Sequence, residues 1–200
     1  FKWCNASYLE AQDMFRENGI FRDVLLTSCG KTFISDYEAL PHKNGKKYAH
    51  DYAESTLRIW LNDDFYNTAF TSAEKAQLGE YACTQQYFPR SKPHGEMTVC
   101  DKVFMLSRIE ATSSKYGFKS SMYSADTARR ARGTDYARCQ GLHVCEIGFG
   151  HKGNSCWWLR APAFFSRRVN KIFYDGYCAV DSYYMVELTD IGVRPCIILK

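Results

Sequence analysis

The sequence lacks the patterns that mark several large classes of protein. No apolar run approaches the roughly 20 residues that a membrane-spanning helix needs, so we expect no membrane span in this chain. There is no linker-like stretch, low-complexity tract or internal repeat, which argues against a string of separate modules. Its 200 residues, of which 46% are hydrophobic and 24% charged, suit one globular domain, and we expect residues 1–200 to form it.

Charge of one sign is also scarce. The formal net charge is only +4, and the one basic cluster consists of Arg129, Arg130, Arg132 and Arg138. No aromatic platform and no known nucleic-acid-binding motif frames this cluster. We therefore interpret the four arginines as a solvated face and expect no nucleic-acid partner.

Cysteine is plentiful, but its spacing excludes the familiar cysteine motifs. The nine cysteines include no Cys-x-x-Cys pair, which argues against a zinc ribbon and a thioredoxin motif. The spacing His143-x-Cys145-x5-His151-x4-Cys156 matches no common zinc module. We expect no metal and no cofactor, and interpret the cysteines as buried free thiols, with one or two disulfides left open if the protein is exported.

Local signals predict helices early and strands late. Ser55 is a candidate N-cap for a helix whose apolar face carries Leu57, Trp60, Leu61 and Phe65. The other predicted elements are a helix over residues 7–18, a strand over 21–28, a capping-box helix at Thr71, a buried strand over 103–106 ended by Ser107, a short helix starting at Ser124 or Asp126, and only strands and turns from Gly148 onward. This order predicts an α+β fold.

Asp175-Gly176 predicts a β-hairpin near the C-terminus. A two-residue turn would pair Tyr174 with Tyr177, whereas a three-residue loop with a left-handed Gly176 would pair Ile172 with Cys178. We favour the second register, because it separates an apolar inner face from a mixed aromatic and charged outer face. The inner face would carry Asn170, Ile172, Cys178 and Val180, and the outer face Val169, Lys171, Phe173, Tyr177, Ala179 and Asp181.

Two short motifs flank the hairpin, Trp157-Trp158-Leu159-Arg160 before it and Gly192-Val193-Arg194-Pro195 after it. We interpret both as parts of the core. The run from Cys196 to Leu199 is apolar on both alternations, which predicts a strand covered on both sides, with Pro195 at its start. Arg194 adjoins this run and Arg160 adjoins Trp157-Trp158. We expect both arginines to pair with internal carboxylates or carbonyls rather than with a ligand.

Several motifs occur together in a recognisable order. They are Thr56-Leu57-Arg58-Ile59-Trp60-Leu61-Asn62, Asp101-Lys102-Val103-Phe104-Met105-Leu106-Ser107, Thr134-Asp135-Tyr136-Ala137, Trp157-Trp158-Leu159-Arg160-Ala161-Pro162 and Gly192-Val193-Arg194-Pro195. The chain thereby resembles the DUF6273 family of bacterial and phage proteins from about Leu25 onward. The resemblance implies a C-type lectin-like fold, which the formylglycine-generating enzymes also share. Some members resemble variable proteins of diversity-generating retroelements, in which a reverse transcriptase miscopies template adenines near the end of the gene.

The composition of the tail agrees with that implication. An Asn codon randomised at its adenines reaches 15 residue types but never Lys, Met, Gln, Glu or Trp. Those five types supply 33 of residues 1–162, so about four are expected among the 22 residues from 163 to 184. The segment has one, Lys171.

These observations predict a non-enzymatic protein that binds a macromolecular ligand, namely a protein. The ligand would be bound by aromatic side chains exposed between the Trp157-Trp158-Leu159-Arg160 and Gly192-Val193-Arg194-Pro195 motifs. The candidate contact residues are Phe164, Phe165, Ser166, Arg167, Arg168, Phe173, Tyr174, Tyr177, Asp181, Ser182, Tyr183 and Tyr184. A second candidate group upstream consists of His143, Glu146 and Phe149. Trp157, Trp158, Ile172, Cys178 and Val180 are assigned to the core.

Two other classes of function stay open on the sequence. A formylglycine-generating-type or other enzyme on the same fold would need a reactive cysteine, yet no obvious pair of cysteines and no Ser-His-Asp or paired-carboxylate motif stands out. A carbohydrate-binding lectin of the calcium-dependent kind would need a Glu-Pro-Asn or Gln-Pro-Asp motif, and neither occurs.

Overall fold

A computed structural model describes residues 26–27, 52–53, 55–85, 97–148, 150–163, 168–179, 188 and 190–200. The predicted helix over residues 7–18 lies outside the described residues. Of the strand predicted over residues 21–28, the described part is β1 (Leu26–Thr27).

The helices are short, and those at Ser55 and Thr71 begin at the side chains that the sequence indicated. Ser55 caps α1 (Thr56–Trp60) by accepting a hydrogen bond from Arg58 N, and the helix runs on through a π-helical turn (Leu61–Phe65) into α2 (Tyr66–Ala69). Thr71 and Glu74 form the predicted capping box of α3 (Ser72–Gln77). The remaining helical elements are α4 (Arg108–Ala111), α5 (Asp135–Cys139) and two 3-10 turns, Ser114–Tyr116 and Thr127–Arg129.

The strands of the described residues form three small sheets. The largest has the order β1-β8-β5-β6-β7, with β5 (Trp157–Pro162), β6 (Val169–Ile172), β7 (Cys178–Ala179) and β8 (Gly192–Val193). Its neighbours are antiparallel except β5 and β8, which are parallel. The other two sheets pair β2 (Tyr81–Gln85) with β3 (Met97–Asp101) and β4 (Val103–Phe104) with β9 (Cys196–Ile197). Short helices beside small, mostly antiparallel sheets make this a mixed α+β structure, as predicted.

The two flanking motifs lie in the core, as predicted. Trp157, Trp158 and Leu159 are buried, and Pro195 directly precedes β9, whose two residues are also buried. The strand does not continue to Leu199, which is 38% exposed, so the expectation of a run covered on both sides is wrong at its end. Arg160 forms a two-pronged ion pair, with Nη1 2.6 Å from Glu110 Oε2 and Nη2 2.7 Å from Oε1. The guanidinium of Arg194 lies 5.1 Å from the centre of a Trp157 ring, and its Nη1 donates to Ala128 O at 3.4 Å. Both arginines therefore have internal partners, as expected.

The interpretation of the basic cluster as a solvated face is wrong for Arg129. Arg132 and Arg138 are exposed and Arg130 is half-buried, but Arg129 is 0% exposed. Its five side-chain hydrogen bonds run to backbone carbonyls, namely those of Ala111, Lys119, Ser121, Ser124 and Gly176. These partners lie far from Arg129 along the chain or within an irregular loop, so the local sequence gave no sign of its burial.

The hairpin has the predicted register, but its outer face is covered along β6. Ile172 is opposite Cys178, and Gly176 has a left-handed φ of 85°, as the three-residue loop requires. Val169 and Lys171, which were assigned to the exposed face, are both buried. β6 is thus covered on both sides, which corrects the expectation of a solvated outer face along this strand.

Candidate functional site

The described candidate contact residues of the tail fall at opposite ends of β6, with Arg168 before it and Phe173, Tyr174 and Tyr177 after it. At one end, Ala163 N donates to Arg168 O at 2.9 Å, where the chain returns from β5. At the other end is the turn over residues 173–177. Because a strand rises about 3.3 Å per residue, Arg168 and Phe173 are separated by roughly 16 Å along the strand. The structure therefore does not bring these candidates into one strip along β6.

Most of the candidate contact residues lie outside the described part of the chain. These are Phe164, Phe165, Ser166, Arg167, Asp181, Ser182, Tyr183, Tyr184 and, from the upstream group, Phe149. Val180, which was assigned to the core, also lies outside the described residues. Of the described candidates, Arg168, Phe173 and Tyr177 are half-buried. Tyr174, His143 and Glu146 are exposed.

Three of the candidates gather with a histidine at the hairpin turn. The ring of Phe173 lies 6.5 Å from that of Tyr174 and 6.0 Å from that of Tyr177. The ring of His151 lies 5.9 Å from that of Tyr174, which is 39% exposed. We call these four residues, Phe173, Tyr174, Tyr177 and His151, the tip surface.

Side chains from elsewhere in the chain hold the backbone of the turn. Arg129 Nε donates to Gly176 O at 2.7 Å, and Arg130 Nε donates to Asp175 O at 3.2 Å. Asn154 Nδ2 donates to Tyr174 O at 3.1 Å. Three successive carbonyls of the turn, those of residues 174–176, are thus fixed by residues outside the hairpin.

Gly176 adds a steric constraint at the same turn. A Cβ atom at this position would overlap the carbonyl oxygen of Asp126. The left-handed φ of Gly176 is also unfavourable for other residues. Glycine alone therefore suits both the close contact with Asp126 and the backbone conformation. The turn therefore sits directly against the loop that precedes Arg129.

Of the described upstream candidates, Glu146 belongs to a loop that packs beside the tip surface, and His143 lies directly before that loop. Its ends are joined by hydrogen bonds from Cys145 N to Asn154 O at 2.7 Å and from Gly153 N to Cys145 O at 2.8 Å. His151 and Asn154 of this loop contact Tyr174, so the loop brings the exposed His143 and Glu146 to the same end of the sheet.

The sequence reasoning missed Ile147, which is 68% exposed on this loop. An isoleucine between Glu146 and Gly148, with no apolar periodicity around it, is the signal that was available. His151 was considered only as a metal ligand and was likewise not proposed as a contact residue.

A buried cation lies under the tip surface. The Lys171 ammonium is 4.6 Å from the centre of the Phe173 ring and hydrogen-bonds the Cys156 thiol. Burial lowers the pKa of Lys171, and the neighbouring Cys156 opposes that shift. The cation is thus an internal support for the Phe173 ring rather than a group offered to a ligand.

The buried thiols are held in their neutral form. Burial raises the pKa of Cys178 to about 11 and the pKa values of Cys83 and Cys196 to about 12. Burial also raises the pKa of Cys156.

The seven described cysteines are all free, and the described residues contain no cluster of three or more His, Cys, Asp or Glu side chains that could hold a metal ion. None of the helices in this part of the chain has the length and apolar character to cross a membrane.

Short stretches of the chain are similar to curated β-galactosidases. Two β-galactosidases of Enterobacter cloacae are each 49% identical over 45 residues, which are 22% of this chain and 4% of theirs. A β-galactosidase of Actinobacillus pleuropneumoniae is 53% identical over 36 residues, or 18% of this chain and 4% of its own. The chain thus matches only 4% of the length of these relatives, and no solved structure matches it.

A family model covers nearly the whole chain, in agreement with the motifs that surround the hairpin. The model for a domain of unknown function, DUF6273, matches residues 29–200. The protein therefore belongs to the DUF6273 family.

Proposed function

We propose that this protein is a non-enzymatic ligand-binding protein, similar to the variable proteins of diversity-generating retroelements, with a C-type lectin-like scaffold. Its ligand is a macromolecule, namely a protein. The tip surface is the part of the binding region that the described residues define, and the loop with His143 and Glu146 borders it.

The way in which the turn is anchored carries this proposal. Arg129, Arg130 and Asn154 bind carbonyl oxygens of the turn, and every residue type has a carbonyl oxygen. Replacing the side chains at positions 173, 174 and 177 leaves those three hydrogen bonds in place. The turn can therefore keep its shape while the chemistry that it presents changes, as a diversified binding surface requires.

The side chains at the tip suit protein recognition. Tyrosine and phenylalanine offer a large contact area for a small loss of rotamer entropy, and they are enriched at interface hot spots. The Phe173 ring lies beside the rings of Tyr174 and Tyr177, and His151 lies beside Tyr174, which restricts the freedom of the rings before a ligand arrives. A pre-ordered surface loses less entropy on binding.

The four buried thiols of the described residues do not have the state that catalysis by cysteine requires. A catalytic cysteine reacts as a thiolate, and enzymes lower its pKa to obtain one. At Cys83, Cys156, Cys178 and Cys196, burial acts in the opposite direction.

A stability comparison tests whether the tip is separable from the core. The double variant Tyr174→Ser, Tyr177→Ser is expected to lose no more than about 1.5 kcal/mol of unfolding free energy, since it forfeits mainly ring–ring contacts. Trp158→Ala removes a fully buried indole and is expected to lose about 3–5 kcal/mol. Both losses are measured by chemical denaturation of the variants in parallel with the wild type. Equal losses would show that the tip rings are part of the core.

A display experiment tests the binding function itself. A library randomised at positions 173, 174 and 177 is panned against hen egg-white lysozyme as a model protein ligand. A matched library is randomised at three exposed positions elsewhere, Lys119, Ser120 and Tyr123. Folded binders are expected to be enriched from the tip library and not from the matched one. Loss of folding in most tip variants, or equal enrichment from both libraries, would contradict the proposal.

The DNA beside the gene tests the retroelement relationship separately. We expect a reverse-transcriptase gene and a near-copy of the segment that encodes residues 163–184, with differences confined to adenines in the copy. Differences spread over all four bases would contradict a retroelement origin and leave the binding test unaffected.

A further inference from the structure

A pocket of about 350 Å³ lies at the end of the β5–β6 pair opposite the hairpin turn. Residues in and around β2, α4, the 3-10 turn Ser114–Tyr116 and the end of β5 line it, together with Asn170 of β6. None of its lining residues belongs to the tip surface. Its volume is at the small end of the range for ligand pockets, which suits a compact organic molecule.

Two polar atoms of the lining residues are buried without a hydrogen-bond partner. They are Arg160 Nε, which is a donor, and Asn170 Oδ1, which is an acceptor. Arg160 is 2% exposed and Asn170 is 0% exposed. A buried polar group that forms no hydrogen bond is costly, and most such groups in proteins have a partner. A donor and an acceptor left over at one pocket therefore indicate that a ligand completes them.

The other polar atoms of these two side chains are already bound, which fixes how each group is oriented. Arg160 Nη1 and Nη2 donate to the carboxylate of Glu110 at 2.6 and 2.7 Å. Asn170 Nδ2 donates to Pro162 O at 3.1 Å. Because a carbonyl oxygen can only accept, the amide of Asn170 cannot turn over to exchange its nitrogen for its oxygen. Nε thus remains a donor and Oδ1 an acceptor.

The donor and the acceptor lie on neighbouring strands. On β5, Arg160 lies between Trp158 and Pro162, whose partners on β6 are Lys171 and Val169 on either side of Asn170. Neighbouring strands are about 4.8 Å apart. A ligand group that completes both atoms therefore needs an acceptor and a donor on two adjacent atoms. A primary carboxamide has this arrangement, with its oxygen and its NH2 group on the same carbon.

The charges at the pocket have partners or lie in water. Glu110 and Arg160 neutralise each other, with 2.6 Å between Oε2 and Nη1. Arg108 takes part in an interaction of its own, and Lys115 is exposed. An ionised ligand would lose its hydration without meeting a free opposite charge in the enclosed part of the pocket. An uncharged ligand is therefore favoured.

Three lining residues carry hydroxyl groups, and each already takes part in a hydrogen bond within the protein. Ser107 Oγ and Ser113 Oγ each accept from a backbone N–H as helix caps. Thr84 Oγ1 lies 3.1 Å from Thr98 Oγ1. The two buried atoms without partners, rather than these hydroxyl groups, therefore determine which ligand group fits.

The pocket also has apolar walls. Tyr81 and Tyr116 contribute rings, and Ala161 and Pro162 contribute aliphatic surface. Ile109 adds a large apolar side chain that is 58% exposed. Aromatic rings pack well against other flat rings. The polar group of the ligand is therefore expected to be attached to a flat apolar body.

We propose that this pocket binds a compact, uncharged aromatic carboxamide. The carbonyl oxygen of the ligand accepts from Arg160 Nε, and its NH2 group donates to Asn170 Oδ1. Its ring lies against Tyr81 and Tyr116. The site is separate from the tip surface, so it is a small-molecule site in addition to the proposed macromolecular one.

NMR titration with benzamide tests the pocket, with acetophenone as the matched control ligand. Acetophenone keeps the ring and the carbonyl group but has a methyl group in place of the NH2 group. Benzamide is expected to bind the wild-type protein with a Kd of about 1 mM or tighter. Acetophenone is expected to bind at least about fivefold more weakly, because it leaves Asn170 Oδ1 without a donor. Failure of benzamide to bind the folded protein at about 10 mM, or equal affinity for acetophenone, would overturn the proposal.

The position of the ligand is tested by two resonances and a pair of variants. Benzamide is expected to shift the Nε–H resonance of Arg160 and the side-chain NH2 resonances of Asn170 in the 15N-labelled protein. Ala82 is exposed at the pocket, and Ala125 is exposed but does not line it. Ala82→Trp places a bulky ring at the pocket and is expected to weaken benzamide binding at least about fivefold, whereas Ala125→Trp is expected to bind like the wild type.

Two outcomes would place the ligand elsewhere and make the inference wrong. One is benzamide binding that leaves the resonances of Arg160 and Asn170 unchanged. The other is wild-type affinity for benzamide in both tryptophan variants.

Discussion

Arg129 is the residue on which we expect the shape of the tip surface to depend most. Its side chain is 0% exposed and donates five hydrogen bonds to carbonyls that join the loop over residues 111–124 to the hairpin turn. Arg129→Met keeps an unbranched aliphatic stem and removes the guanidinium with all its hydrogen-bond donors. The variant therefore isolates the hydrogen bonds from the packing.

The structure gives the size of the expected loss. The acceptors on Gly176 and Ala111 are in fully buried hydrogen bonds, and those on the other three residues are part-buried. A buried acceptor left unsatisfied costs about 1–3 kcal/mol, and the part-buried carbonyls regain water in compensation. The carboxylate of Asp126, 3.7 Å from Arg129 Nη1, also loses its cation. We expect Arg129→Met to reduce the unfolding free energy by about 3–5 kcal/mol.

Urea unfolding followed by tryptophan fluorescence measures this loss, and Arg138→Met is the control. Arg138 is exposed and its ion pair with Asp135 is 3.9 Å long at the surface, so its removal is expected to change stability by less than about 1 kcal/mol. A loss below about 1 kcal/mol for Arg129→Met would refute the reasoning, because the five hydrogen bonds would then contribute nothing net.

Two further predictions concern the turn and the ion pair between Glu110 and Arg160. Gly176→Ala is expected to cost at least about 3 kcal/mol, since it adds an unfavourable left-handed φ to an overlap with Asp126 O; a melting temperature like that of the wild type would contradict this. Burial alone would raise the pKa of Glu110, but hydrogen bonds and charge from Arg160, with the Tyr81 hydroxyl, lower it. A lowered folded-state pKa gives stability that is present above the unfolded value of about 4.3 and is lost as the pH falls. The wild type should therefore lose more stability between about pH 5 and pH 3 than Glu110→Gln does, as measured by unfolding at each pH, and parallel curves would show that Glu110 is not the group responsible.

Features that depend on nearby residues could be predicted from the sequence. The caps at Ser55 and Thr71 act within three residues, and the hairpin register follows from Asp175-Gly176 and the alternation of the strands that flank it. Pro195 could be placed at the start of a strand because it cannot donate a backbone hydrogen bond.

Features that depend on distant residues could not. Lys171 is buried because both faces of β6 are covered, and an alternating pattern in one strand does not reveal a second covering layer. The burial of Arg129 depends on carbonyls up to 47 residues away. The ion pair between Glu110 and Arg160 was missed for the same reason, since its partners lie 50 residues apart.

The division of the candidate residues between two ends of β6 was within reach of the sequence. Two successive antiparallel turns lie at opposite ends of the strand that joins them, and the hairpin prediction already implied this arrangement. Aromatic composition drew the residues from 163 to 184 into one group, whereas the topology separates the connection before β6 from the turn after it.

Residues 193–199 complete pairings with segments that lie far upstream in the chain. Val193 is opposite Leu26, Ile197 is opposite Val103, and Leu199 forms a bridge with Leu78. During synthesis on the ribosome, these earlier segments lack their partners until residues 193–199 have emerged. The pairing is therefore expected to have the slow kinetics of long-range strand pairing, with strand edges exposed in the meantime. Deleting residues 193–199 is expected to leave all three earlier segments without the strands that close them.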